Sequence, residues 1–149
     1  MTGYLVDTNV ISAEAPVARR TVPDAAKQRA RTWLAAHADR LYLPSIAVAE
    51  IAGGIGKDDA TGATRRAAAL DAWLGLLIGR FSRRVLAFDH LAALHARPLA
   101  EAMWRAGVVV DFADLAIACI ARTHDLTVAT RNLRHFAPLG VATVDPFTA

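Results

Sequence analysis

With 149 residues, 54% apolar and 21% charged, the chain is long enough for one domain with a real core and too apolar to be disordered. No apolar run nears the ~20 residues of a membrane span, no basic-then-apolar leader precedes Asp7, and Cys119 is the lone cysteine. Membrane spans, secretion signals and intrachain disulfides are therefore not expected, a cytoplasmic setting is, and the +3 formal charge, mostly arginine, suits an anionic polymer or simply a GC-rich genome.

In chain order, Tyr4-Leu5-Val6 is a short β-prone run that predicts a buried strand, with Thr8 or Asn9 capping a short helix to about Ala13. Glu14 to Pro23, with two prolines and an arginine pair, reads as a loop. Asp24 caps a helix through Leu34, with Ala26, Ala30, Trp33 and Leu34 inward. Leu41-Tyr42-Leu43 is a second strand, and Pro44 or Ser45 opens a helix carrying Ile46, Glu50, Ile51 and Ile55. Lys57 to Gly62 reads as a polar turn. Arg65 to Ile78 is an amphipathic helix with Leu70, Trp73, Leu74, Leu77 and Ile78 apolar.

Val85 to Phe88 is a third strand, closed by Asp89 as a cap. The helix that follows, to about Arg105, contains Pro98, which predicts a kink or break. Val108-Val109-Val110 leads to Asp111, and a helix runs from Phe112 to about His124. Thr127-Val128-Ala129 is a fourth strand, stopping at Thr130-Arg131-Asn132. A helical turn to Phe136 and a strand from Val141 to Val144 end the chain. Strands alternating with helices predict an α/β fold, a parallel sheet covered on both faces, in one domain spanning 1–149.

Four polar residues then share one sheet edge. Asp7 follows the first strand, Glu50 lies early in the helix after the second, Asp114 opens the helix before the fourth, and Asn132 follows the fourth. Ligands bind at that edge in open α/β sheets. Clustered carboxylates need a cation to stay ionised in water-poor surroundings, and oxygen ligands suit Mg²⁺ or Mn²⁺, which activate water towards a phosphodiester. Each residue also has a plainer role. Asp7 can be a helix cap, Glu50 a solvated acid, and Asp111 with Asp114 a cap and a first-turn acid. Asp111 is read as the cap, the five histidines as structural or solvated, Cys119 as core, and Trp33, Trp73 and Trp104 as core or interface.

Leu5-Val6-Asp7-Thr8-Asn9-Val10, Ala49-Glu50-Ile51 with Gly54-Ile55, Asp114 to Ala118, and Ala129-Thr130-Arg131-Asn132 with His135-Phe136 resemble, in register, the PIN-domain ribonucleases, in particular the VapC- and FitB-like toxins of toxin–antitoxin pairs. The ending Val144-Asp145-Pro146-Phe147 is similar too. The resemblance implies a three-layer α/β/α sandwich around about five parallel strands. It implies an endoribonuclease dependent on Mg²⁺ or Mn²⁺, usually a homodimer, and a small VapB-like antitoxin that blocks the site and carries the complex to operator DNA. It makes Asp7, Glu50 and Asp114 catalytic acids and metal ligands, Glu50 orienting water or acting through it. Asn132 stands at a fourth position, often an acid, as a weak or water-mediated ligand, and Thr8, Asn9 and Thr130 support the site. The alternative is a non-catalytic PIN-like binding module acting in a DNA-bound complex with a small partner. A phosphoryl transferase is disfavoured, because Asn9 stands where a second acid is wanted and no glycine-rich phosphate loop is present.

Overall fold

The computed structural model describes residues 2–16 and 24–149. The expected loop from Glu14 to Pro23 therefore falls largely outside the described residues. The first strand, β1 (Tyr4–Val6), leads through α1 (Thr8–Ile11) and α2 (Ala25–Ala36) to β2 (Leu41–Pro44). Two long helices, α3 (Ser45–Ala60) and α4 (Thr64–Phe81), lead to β3 (Val85–Leu86). Three more, α5 (His90–Ala93), α6 (Ala96–Arg105) and α7 (Phe112–His124), lead to β4 (Thr127–Ala129), and α8 (Leu133–Phe136) leads to β5 (Thr143–Val144). No described helix is long and apolar enough to cross a membrane.

All strand pairs are parallel, in the order β3-β2-β1-β4-β5. The chain moves outward from β1 to β3, then returns to the other side of β1. The β1–β4 boundary is therefore the topological switch point, where a crevice opens beyond the strand ends.

Strand alternation fills both faces. Val6, Leu41, Leu43 and Ala129 join one core with Trp33 and Leu34 of α2, Ile51 and Ile55 of α3, and Leu74, Leu77 and Phe81 of α4. Leu5 and Val128 join the other with Leu99 of α6, Ile117 and Ile120 of α7, and Phe136 of α8. A strand buried on both faces has no polar side, which is why these strands read as short apolar runs. The result is the expected α/β/α sandwich.

Several boundaries differ from expectation. Lys57 to Ala60 is the last turn of α3, not a loop, because Lys and Ala favour helix and nothing breaks it before Gly62. Gly62 adopts φ +88°, and the amides of Ala63 and Gly62 return to the carbonyls of Asp58 and Asp59, closing the helix end. The predicted break at Pro98 is found at Leu94-His95, between α5 and α6. Proline 98 offers no N–H to the carbonyl of Leu94 and crowds it, yet sits in the first turn of α6, where a missing donor is tolerated. Val108 to Val110 approaches α7 as irregular chain, as its place before Asp111 suggests, and Val109 is 96% exposed. The third and fifth strands are each two residues long, shorter than expected.

Cys119, Trp33 and most of Trp73's helix face take the expected core positions, but Trp104 is 88% exposed. Phe136 is fully buried and anchors the four-residue α8 against the α7 side of the sheet. Phe136→Ala should cost about 3–5 kcal/mol in urea unfolding at equilibrium. A loss under about 1 kcal/mol would mean that α8 is held by something other than this ring.

Candidate active site

Asp7 leaves β1 in extended conformation and caps α1 with its own side chain, the plainer of the two roles expected of it, where Thr8 or Asn9 was also a candidate cap. Its Oδ1 accepts from the Thr8 amide at 2.7 Å. Its Oδ2 accepts from the Thr130 hydroxyl at 2.8 Å and the Asn9 amide group at 3.2 Å. Asp7 is 4% exposed and Thr130 is fully buried, the only buried polar or charged side chains among the described residues. Capping and site membership are thus not alternatives, since both follow from the strand-to-helix junction.

Thr130 ends β4 beside Asp7. Its hydroxyl donates to Asp7 and accepts from the Asn132 amide at 3.0 Å. Asn9 accepts from the Arg131 amide at 3.2 Å, tying the β1 and β4 ends together a second time. Thr8 donates from Oγ1 to Glu50 Oε1 at 2.8 Å, reaching from α1 to α3. Glu50 is therefore exposed but oriented, not an acid free in solvent.

Asp7, Glu50, Asp111, Asp114, Asn132 and His135 line one open cavity of about 310 Å³. Every residue expected at the site lines this cavity or, in the case of Thr130, bonds to one that does. Asp111 occupies the cap position of α7, but its side chain makes no capping hydrogen bond and lines the cavity instead. His135 was not anticipated as a site residue. Its Nδ1 lies 2.9 Å from Asp114 Oδ2. A larger groove of about 560 Å³ shares Thr8 and Glu50 with the cavity and carries Lys27, Arg31, Lys57 and Arg66.

The electrostatics fit a shared cavity. Burial pushes the Asp7 carboxyl above the ordinary 3.8; the Thr130 hydroxyl and Thr8 amide pull it down; the negative charges of Asp114 and Glu50 push it up again. Oxygen-rich donors of like charge are chemistry suited to a hard divalent cation. The side chains stand apart, and no group of three or more His, Cys, Asp or Glu among the described residues is close enough to enclose an ion.

Comparisons with known proteins agree with this arrangement. A family profile described as PIN domain matches residues 4–139. The chain is 34% identical to the plasmid stability protein StbB of Pseudomonas syringae pv. tomato, over 97% of this chain and 99% of that one. It is 31% identical to the VapC ribonuclease Y4jK of Sinorhizobium fredii, over 96% of each. Among solved structures it is similar to FitAcB from Neisseria gonorrhoeae, with TM-score 0.80, 30% identity, and 98% and 99% of the two chains covered. It is also similar to FitAB bound to an IR36 DNA fragment, with TM-score 0.78, 28% identity, and 97% and 95% covered.

Because Asp7 holds its proton more tightly folded than unfolded, the fold loses stability as pH rises from 3.8 through the raised folded value. Asp7→Asn cannot ionise. Its melting temperature in EDTA, relative to wild type, should climb across that window and level off above it. Thermal melts from about pH 3.5 to 7 test this, and a pH-independent difference would show that the buried charge is not what burial opposes.

Proposed function

The chain belongs to the PIN-domain family, and from that membership we propose that it is a divalent-metal-dependent endoribonuclease, the toxin of a toxin–antitoxin pair. The observation that carries the reading is the buried Asp7 carboxylate at the switch point, with Glu50 and Asp114 close enough to raise its pKa. A binding surface has no need to desolvate a carboxylate among others. A site that gathers positive charge at a phosphodiester does.

Asp7 and Asp114 would hold the ion, a Mg²⁺ or Mn²⁺, and Glu50 would contribute through water. When bound, that ion supplies Lewis-acid charge beside the scissile phosphate and makes nearby water more acidic. Thr130 and Thr8 fix the rotamers of Asp7 and Glu50, so little reorganisation is left for the moment of reaction. Asn9 braces the segment after β4. Asn132 offers a weak oxygen ligand without charge. The name of the Sinorhizobium relative supports RNA as the substrate.

The partner is a small VapB-like antitoxin, as the FitAcB and FitAB complexes support, and operator DNA is reached through it. An arginine from that partner would compete with the ion for the acids. The groove sharing Thr8 and Glu50 gives a partner segment a path to the cavity. The protein forms a homodimer. Trp33, packed against Tyr4 and His37, belongs to the core. The exposed apolar side chains Leu91, Leu94, Trp104, Val109 and Phe112 lie on α5 and just past it, on α6, and from the approach to the first residue of α7. The second reading, a non-catalytic module, would leave RNA intact.

Purified wild type should cut single-stranded RNA with Mg²⁺ or Mn²⁺ and stop in EDTA. Asp7→Asn should lose at least about 10²-fold in rate, and Asn132→Ala should lose less. Cleavage by Asp7→Asn at the wild-type rate would sink the assignment. Trp104→Asp should convert a dimer to a monomer at micromolar concentration by light scattering, and a wild type that is monomeric there would remove the dimer.

A further inference from the structure

The segment after β4 carries two polar residues that line the cavity, Asn132 and His135. Chain position singles out Asn132, three residues beyond the strand. The geometry points to the other. Asn132 starts α8 at φ −93°, ψ 56°; its backbone amide is spent on Thr130 Oγ1, and its side chain is exposed. His135 lies one turn further on, next to fully buried Phe136, which fixes α8 against the core. Its backbone amide donates to the Asn132 carbonyl at 3.0 Å. The imidazole is thereby carried to the first turn of α7, 2.9 Å from Asp114 Oδ2.

We propose that His135 is a positioning residue for Asp114: its Nδ1–H donates to Oδ2 and fixes the carboxylate rotamer in which Asp114 would serve the ion. This rests on the metal-dependent reading above. An ionised carboxylate can only accept, so Nδ1 is the protonated ring nitrogen in this pair. Apart from His135, no side-chain hydrogen bond holds the Asp114 carboxylate among the described residues. Its side chain is 13% exposed and that of His135 is 35% exposed, so the pair stands at the cavity wall and not on the open surface. Asp7 is oriented by Thr130 and Glu50 by Thr8. With His135 on Asp114, each of the three acids accepts from at least one side chain that is not an acid and that comes from another element or from the strand end opposite. Groups that orient metal ligands in this way typically govern affinity by 10–100-fold.

A purely structural His–Asp contact at this exposure contributes little, and what it contributed would appear in the melting temperature. The two roles separate in a Mn²⁺ titration by calorimetry, followed by thermal melts of the metal-free chains. His135→Ala should weaken Mn²⁺ binding by about 10–100-fold. His135→Asn, whose side-chain amide can donate from nearly the place of Nδ1, should recover most of that loss. Melting temperatures of the two metal-free variants should agree with each other. In RNA cleavage, excess Mn²⁺ should restore the His135→Ala rate towards wild type. Unchanged Mn²⁺ affinity in His135→Ala, or a loss that His135→Asn shares in full, overturns the positioning role. A wild type that binds Mn²⁺ through Asp7 while His135→Ala binds it equally well overturns this proposal alone. A wild type that binds no Mn²⁺ overturns the metal-dependent reading and this proposal with it.

Discussion

Asp7 must keep a carboxylate at 4% exposure where the central strands of the sheet end. Desolvation is the largest influence on its proton, and two neighbouring acids add to it. An unpaired carboxylate in that position would simply take up a proton. What opposes this is local and short: one backbone amide, one hydroxyl and one side-chain amide, from Thr8, Thr130 and Asn9. The Thr8 amide is available because the strand ends there and a helix begins, leaving an N–H without a partner in its own turn. Thr130 is available because β4 ends beside β1.

The same contacts hold the fold together at its centre. The Asp7 amide donates to Ala129, the Thr130 amide donates to Val144, and Asn9 accepts from Arg131. Three strand ends, β1, β4 and β5, are thus joined within one layer of hydrogen bonds around a single carboxylate. With strands of two to four residues, the sheet has few ladder bonds to spare. The crossovers, not the strands, supply most of the apolar burial, through Leu74, Leu77 and Phe81 on one face and Ile117, Ile120 and Phe136 on the other.

How much of this was legible in sequence follows from which interactions are local. The central strands were legible because burial on both faces leaves short apolar runs at Leu5-Val6 and Val128-Ala129. The edge strands were overestimated at Val85 to Phe88 and Val141 to Val144, since an apolar run does not say where its pairing partner stops. The end of α3 was missed because Lys57 to Ala60 is polar, and polarity alone does not end a helix. Gly62, with its positive φ, was the true signal. The break near Pro98 was legible because proline acts on the carbonyl four residues earlier whatever the tertiary context.

At the site, position relative to a strand end was enough to choose Asp7, Glu50 and Asp114, and the fold brings them to one cavity. Position was not enough to choose their partners. Asp114 and His135 are 21 residues apart and meet only because α8 is pinned by Phe136 over the first turn of α7. A histidine in a four-residue helix carries no spacing signal of the kind that marks a zinc site, so it reads as solvated until the packing is known. The strand-end rule selects residues by where the backbone delivers them. It is blind to a side chain reaching back from the next element, and that is the kind of contact that decides whether a carboxylate sits in one rotamer or several.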